Sequence, residues 1–210
     1  MAEPIRGIEP AVVRRNLERV RERCGPNVEI LAATKYVDVA EMPVLAEAGI
    51  ELVGENRLQD LESKRERLGD TFIWDFIGNL QSRKVKRIVP LVRLIHSVAT
   101  DSALEQLGQH ADPGIEILVE VDLADEQSKG GIAPGELVEF ISRSPVRVSG
   151  LMTMPPATGD PEASRPYFAR LAELAAEHGL ERLSMGTSQD WEVAVEEGAT
   201  IVRLGTSLYR

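Results

Sequence analysis

Val28-Glu29-Ile30-Leu31-Ala32-Ala33-Thr34-Lys35-Tyr36 is an almost wholly apolar run that ends in a hydroxyl and a lysine. It reads as a buried strand with chemistry at its carboxyl end. Working outward, the same pattern recurs. After Val28–Thr34 come strand-like runs at Leu52–Val53, Phe72–Ile77, Leu91–Ile95, Ile115–Val121, Val146–Met152, Arg182–Met185 and Thr200–Leu204. Between them lie helix-like runs at Val39–Ala48, Arg57–Leu68, Gln81–Ile88, Ser102–His110, Pro134–Ile141, Pro161–His178 and Trp191–Glu197. Gly49, Gly69, Gly179 and Gly198 each follow a helical run, where a C-terminal glycine belongs. Strict alternation implies a parallel sheet with helices outside, and eight strands imply a closed (β/α)8 barrel rather than an open doubly wound sheet. One further amphipathic run, Val12–Arg23, precedes the first strand. This extra N-terminal helix is expected to cover the gap left by a missing helix after strand eight. Residues 1–210 are expected to form a single domain.

Composition limits the partners. The 210 residues carry a formal net charge of −10, with 43% hydrophobic and 28% charged residues. A surface of that sign repels phosphate backbones and anionic lipid, so nucleic acid and membrane are not expected as partners. No apolar run reaches the ~20 residues of a membrane helix, and Met1–Pro10 carries no signal-peptide apolar core. The lone Cys24 excludes an internal disulfide and reads as a half-buried helix residue. A cytoplasmic location and a monomer are expected. No His, Cys and Asp spacing suggests a metal.

In a parallel barrel the chemistry sits at the carboxyl ends of the strands, and every one here carries a polar side chain, a glycine or both. Gly186-Thr187-Ser188 and Gly205-Thr206-Ser207 follow strands seven and eight. Their small residues let backbone N–H groups approach an anion, and their hydroxyls add donors; read separately they are equally well plain turns, but in consecutive loops they favour a phosphate. Lys35 is one of only five lysines against nineteen arginines. Alternation puts it on the face of Leu31 and Ala33. An interior position would partly desolvate the amine and favour Schiff-base chemistry, whereas an outward one would leave it in water. Arg203 interrupts the apolar Ile201-Val202-Arg203-Leu204 and needs a partner, either a carboxylate such as Asp122 or Asp75, or a bound ligand. His96 reads as a satisfied barrel-mouth histidine, His110 and His178 as helix-end residues, and the Arg83, Lys84, Lys86, Arg87 run as a solvated face.

Taken together, Ala33-Thr34-Lys35, Gly54-Glu55-Asn56, Phe76-Ile77-Gly78-Asn79-Leu80-Gln81, His96-Ser97-Val98, Glu126-Gln127-Ser128-Lys129-Gly130-Gly131, Gly150-Leu151-Met152-Thr153-Met154-Pro155, Leu183-Ser184-Met185-Gly186-Thr187-Ser188 and Val202-Arg203-Leu204-Gly205-Thr206 resemble the pyridoxal 5′-phosphate (PLP) homeostasis protein family, YggS in bacteria and PROSC in animals. The resemblance implies an alanine-racemase N-terminal-domain-like barrel with PLP as a Schiff base on Lys35. It also implies phosphate contacts from Ser188, Gly205 and Thr206, helped by groups near Gly186 and Thr187, with Arg203 facing the pyridine nitrogen and Asn56 beside the cofactor. Members bind, buffer and deliver PLP, which makes apo PLP-dependent enzymes the expected partners. The chain departs from the family pattern at Asp75 and Asn79, where histidines are usual, at Arg57, where a tyrosine is common, at Thr187, and after Tyr209-Arg210, where further residues are usual.

The resemblance favours a carrier without turnover. An arginine at the pyridine nitrogen makes a weaker electron sink than a carboxylate. None of Tyr36, Tyr167 and Tyr209 is placed by the sequence as the opposing base a racemase uses, and the length leaves no room for the second domain that would supply one. A PLP-dependent amino-acid racemase-like enzyme is the alternative, and a barrel for another phosphorylated metabolite is a third reading.

Overall fold

The computed structural model describes residues 5–124 and 130–210. Helix α1 (Pro10–Cys24) opens the chain. It is followed by β1 (Glu29–Ala33), α2 (Met42–Glu47), β2 (Leu52–Glu55), α3 (Leu58–Leu68), β3 (Ile73–Phe76), α4 (Val85–Ile88), β4 (Leu94–Val98), α5 (Asp101–His110), β5 (Glu116–Glu120), α6 (Leu137–Ser142), β6 (Arg147–Met152), α7 (Arg165–Glu177), β7 (Arg182–Thr187), α8 (Trp191–Glu196), β8 (Ile201–Leu204) and α9 (Thr206–Tyr209). Each strand pairs in parallel with the next and β8 pairs with β1, so the sheet closes into an eight-stranded barrel in strand order. The alternation therefore reports the fold correctly, and short 3-10 turns such as Pro134–Glu136 and Pro161–Ser164 supply the first residues of α6 and α7.

Two strands lie further along the chain than their apolar residues suggest. β4 runs through His96, Ser97 and Val98 and is buried throughout, so His96 lies in the barrel wall and not beyond it. β7 continues through Gly186 and Thr187. In β4 polar residues occupy strand positions because their hydrogen bonds are met inside the barrel, which no hydrophobic pattern records. Helix α9, one turn long, is also absent from the sequence reading.

Along the barrel axis, Leu31, Leu52, Leu94, Leu118, Met152 and Ile201 form a closed apolar cluster, separate from the larger core between strands and helices. At the amino ends of the strands, ion pairs make the floor. Arg93 reaches Glu29 at 2.7 Å and Asp75 at 2.8 Å, while Arg182 reaches Glu29 at 3.3 Å and Glu116 at 3.6 Å. A groove of ≈760 Å³ lies at this end between α1 and the strand starts.

α1 buries Val13, Leu17, Val20 and Cys24 along one stripe, at roughly 1.5–3 kcal/mol for each large apolar side chain removed from water. The stripe packs on α2, α8 and α9. Asn16 Nδ2 donates to the carbonyls of Leu208 (3.2 Å) and Arg210 (3.0 Å), clamping the opening helix to the last turn of the chain. α1 thus covers the ground beside β8, as expected. Cys24 is buried and its thiol is pushed up to about 11 by desolvation, with Glu192 adding to the effect. Among the described residues no helix is long and apolar enough to cross a membrane, and no three His, Cys, Asp or Glu side chains gather as a metal site.

Candidate functional site

At the carboxyl ends of the strands the barrel opens into a cavity of ≈470 Å³, within the range of about 300–1,000 Å³ usual for small-molecule sites. Seven of the residues marked in the sequence line it: Lys35, Asn56, Thr187, Ser188, Arg203, Gly205 and Thr206. Tyr36, Asn79, Ser97, Glu120, Gln189 and Tyr209 line it as well.

β1 ends at Ala33, and the chain turns through a Val37 N–H donation to the Thr34 carbonyl at 2.8 Å. Lys35 sits in that turn. It faces the cavity as alternation requires, yet it is exposed, with Nζ 5.0 Å from the centre of the Tyr36 ring. The partial desolvation expected from an interior strand position is therefore absent, because the strand stops two residues short of it. Beneath the turn, the buried Lys64 donates to the Thr34 carbonyl (2.7 Å) and to Glu55 Oε1 (2.6 Å), which also accepts from the Thr34 hydroxyl at 2.5 Å. Burial pushes the Glu55 carboxyl up, and Lys64 pulls it back towards the ionised form. Lys64 is thus a structural lysine and Lys35 an accessible one.

Asn56 is held by close backbone approach. A Cβ on Gly78 would stand 2.0 Å from the Asn56 carbonyl oxygen, so only glycine fits there. The Asn56 side-chain Oδ1 is buried and has no hydrogen-bond partner among the described residues. Such an acceptor costs about 1–3 kcal/mol, a cost that a ligand donor would remove.

The β7 and β8 turns meet at one oxygen. Ser188 Oγ accepts from Gly205 N–H (3.1 Å) and Ser207 N–H (3.4 Å), and lies 3.0 Å from Ser207 Oγ. Two backbone donors and the Ser207 hydroxyl thus gather around the Ser188 hydroxyl, a cluster of small polar groups that suits a phosphate. Thr187 also lines the cavity, but Asp190 Oδ1 engages both its N–H (2.7 Å) and its hydroxyl (3.0 Å). Gly186 does not line the cavity. It has φ +87°, and a Cβ there would stand 2.6 Å from Ala194 Cβ, so this glycine lets α8 pack on the strand.

Arg203 is buried in the cavity floor. Its Nη1 donates to the Ser184 carbonyl and Ser184 Oγ, both at 2.6 Å, and its Nη2 to the Thr153 carbonyl (3.0 Å) and Met154 Sδ (2.8 Å). It forms no ion pair with Asp75, which is held by Arg93 and His96, nor with Asp122, whose carboxylate caps the Ala124 N–H at 3.0 Å. Desolvation pulls the guanidinium down to about 10, against the pull of Glu120 and Asp190.

Glu120, not singled out in the sequence, shares the inward face of β5 with Leu118. The signal that exposed Arg203, a charge inside an apolar strand, was present there too. Burial pushes its carboxyl from 4.5 up to about 7, opposed by Arg203. A raised carboxyl destabilises the fold once it ionises. Stability of the ligand-free chain is therefore expected to fall as pH rises from 4.5 to 7, by up to roughly 3 kcal/mol. Glu120→Gln should flatten that slope in urea unfolding at pH 5 and pH 8, and an unchanged slope would place its origin elsewhere.

Among the weaker candidates, His96 is fully buried and bonded on both ring nitrogens, His110 closes α5 and His178 caps α7. The Arg83–Arg87 run faces solvent apart from Val85, and Arg87 pairs with Glu62. The first four residues of the fifth family-like stretch, Glu126 to Lys129, lie outside the described residues.

An accessible lysine, a buried arginine and the β7 and β8 turns around Ser188 thus share one cavity of a parallel barrel. The family model for the alanine racemase N-terminal domain matches residues 8–210, and the chain belongs to that family. It is 40% identical to the pyridoxal phosphate homeostasis protein of Aquifex aeolicus (strain VF5), covering 93% of this chain and 94% of the relative. The protein of the same name from Pseudomonas aeruginosa is 36% identical, over 87% and 84%. PipY of Synechococcus elongatus PCC7942, whose structure has PLP bound, is 30% identical with a TM-score of 0.83, over 94% and 100% of the two chains. Alanine racemase from Corynebacterium glutamicum is 16% identical with a TM-score of 0.77, over 96% of this chain and 62% of the enzyme, and shares the fold.

Proposed function

We propose that the protein binds PLP in the ≈470 Å³ cavity, anchored covalently by Lys35, and that it buffers or delivers the cofactor in vitamin B6 homeostasis. The observation that carries this reading is the gathering of Gly205 N–H, Ser207 N–H and the Ser207 hydroxyl on Ser188 Oγ, with Ser188 and Gly205 lining the same cavity as Lys35. PLP supplies an aldehyde that condenses with a primary amine, and a phosphate dianion that needs donors. Lys35 Nζ is the exposed amine, and the β7–β8 turns are the donors. Asn56 Oδ1 and Arg203 remain for the ring. The names of the relatives and the PLP in PipY support the same reading.

The residues suit holding more than turnover. Arg203 keeps its protons and offers no carboxylate to a ring nitrogen. The Tyr209 hydroxyl donates to the Ala33 carbonyl at 3.1 Å, and burial pushes it up, so it makes a poor base. An exposed lysine at the mouth leaves the bound group open to an incoming amine, as delivery to apo-enzymes requires. We place the protein in the cytoplasm as a monomer.

The test is to add PLP, record the visible spectrum, reduce with borohydride and map the modified peptide. A visible band with the adduct on Lys35 is the expected result. An adduct scattered over Lys84, Lys86 and Lys129 would refute the assignment. Ser188→Ala removes one hydroxyl from the donor cluster and should weaken PLP retention by about 1.5–3 kcal/mol, read as the dissociation constant in equilibrium dialysis. Retention equal to wild type would remove Ser188 from the phosphate site.

A further inference from the structure

Behind Arg203 a line of buried polar groups crosses the barrel to its floor, and of these only the arginine lines the cavity. Arg203 Nη1 donates to Ser184 Oγ at 2.6 Å, Ser184 Oγ lies 2.8 Å from His96 Nδ1, and His96 Nε2 lies 3.1 Å from Asp75 Oδ2. Asp75 then accepts from Arg93 Nε and Nη2 at 3.1 and 2.8 Å, and Arg93 passes on to Glu29. Asp75, His96 and Ser184 are all fully buried.

The hydrogen positions follow from the chemistry. Burial holds the His96 imidazole neutral, against the pull of Asp75, so one ring nitrogen donates and the other accepts. Asp75 is held ionised by His96 and Arg93, which outweigh its desolvation, and can only accept. His96 Nε2 therefore carries the proton and Nδ1 is bare. Ser184 must then donate to Nδ1, which leaves its lone pairs for Arg203. Every link points the same way, from the guanidinium to the aspartate, and hydrogen bonds so aligned polarise one another. The two Nη groups of Arg203 have four N–H bonds, and four acceptors meet them. Of the five guanidinium donors, only Nε–H is uncommitted among the described residues.

We propose that Ser184, His96 and Asp75 are positioning residues that lock the Arg203 guanidinium through a one-directional relay and so leave a single donor, the Nε–H, for the ligand in the cavity. Asp75 anchors the relay from the barrel floor without approaching the site. Its consequence for the bound group rests on the PLP reading above, whereas the relay itself is present in the ligand-free chain.

The experiment uses the full-length protein in two states. In the ligand-free chain, 15N NMR should show His96 as the neutral Nε2–H tautomer and Arg203 Nε–H as a separate, slowly exchanging signal, which should move on addition of PLP. In Ser184→Ala and Asp75→Asn, the His96 ring shifts should change and the Arg203 signal should exchange faster. PLP dissociation constants should rise on the order of tenfold, while Ser184→Thr, which keeps the hydroxyl, should restore both. Asp75→Asn, nearly isosteric, covers the case in which Ser184→Ala folds poorly. Wild-type His96 shifts and wild-type PLP affinity in both variants would overturn the proposal, as would the Nδ1–H tautomer in the wild type. If the wild type forms no Lys35 adduct but shows the tautomer and both variants disturb the Arg203 signal, the relay stands and the PLP reading falls.

Discussion

Lys35→Ala is expected to abolish the borohydride-trapped pyridoxyl adduct and the visible band, and to leave PLP held only by the phosphate turns, Asn56 and Arg203. The expectation rests on accessibility. Lys35 is exposed in the turn after β1 and lines the cavity, whereas Lys64, the other lysine close to that turn, is buried and committed to Glu55 and Thr34. Loss of the covalent bond should turn a species that survives dialysis into one that exchanges freely. The fold should be unaffected, because an exposed side chain away from caps and packing changes stability by no more than about 0.5 kcal/mol. Peptide mapping, dialysis and urea unfolding on one preparation separate these effects. An undiminished adduct in Lys35→Ala would show that another amine holds the aldehyde.

Lys64→Ala is expected to do the reverse: destabilise the chain by about 3–5 kcal/mol while leaving the amine of Lys35 in place. Lys64 is 5% exposed and Glu55 is fully buried. Removing the ammonium strands a buried carboxylate that already has one unmet oxygen, Oε2. The carboxyl would then take up a proton, so the deficit should shrink as pH is lowered towards the unfolded value near 4.5. That is the sign for an acid whose folded pKa is raised: stability present at low pH is lost as pH rises. Replacing both partners together, Lys64→Met with Glu55→Leu, should cost much less than the single change, since no orphaned charge remains. Equal losses in the single and double variants would mean that packing, and not the ion pair, sets the value.

The two lysines also mark how far the sequence reaches. Hydrophobic alternation and glycine stops are local properties of the chain, and they determined eight strands, the helices between them, the opening helix and the closed barrel. The strand-end rule then picked out Lys35, Ser188 and Gly205, and Arg203 was marked as a charge inside an apolar strand, because charges and small residues in or after an apolar run stand out in one dimension. What polar residues do inside the barrel was decided only in three dimensions. β4 looked short because His96 and Ser97 carry no hydrophobic signal, yet both are buried strand residues, His96 bonded to side chains on β3 and β7 and Ser97 to the Gly78 carbonyl just past β3. Nothing local tells Glu55 that Lys64 will cover it, or tells Arg203 that Ser184 and Thr153 will take its donors instead of Asp75 or Asp122. Likewise Gly186 looked like part of an anion site and proved to be a seat for α8. The sequence by itself determined the barrel and the rim of its cavity, since burial patterns are written residue by residue. Only the tertiary structure decided which polar groups are spent on one another and which are left for a ligand, because these hydrogen bonds join residues far apart along the chain, 88 positions in the case of His96 and Ser184.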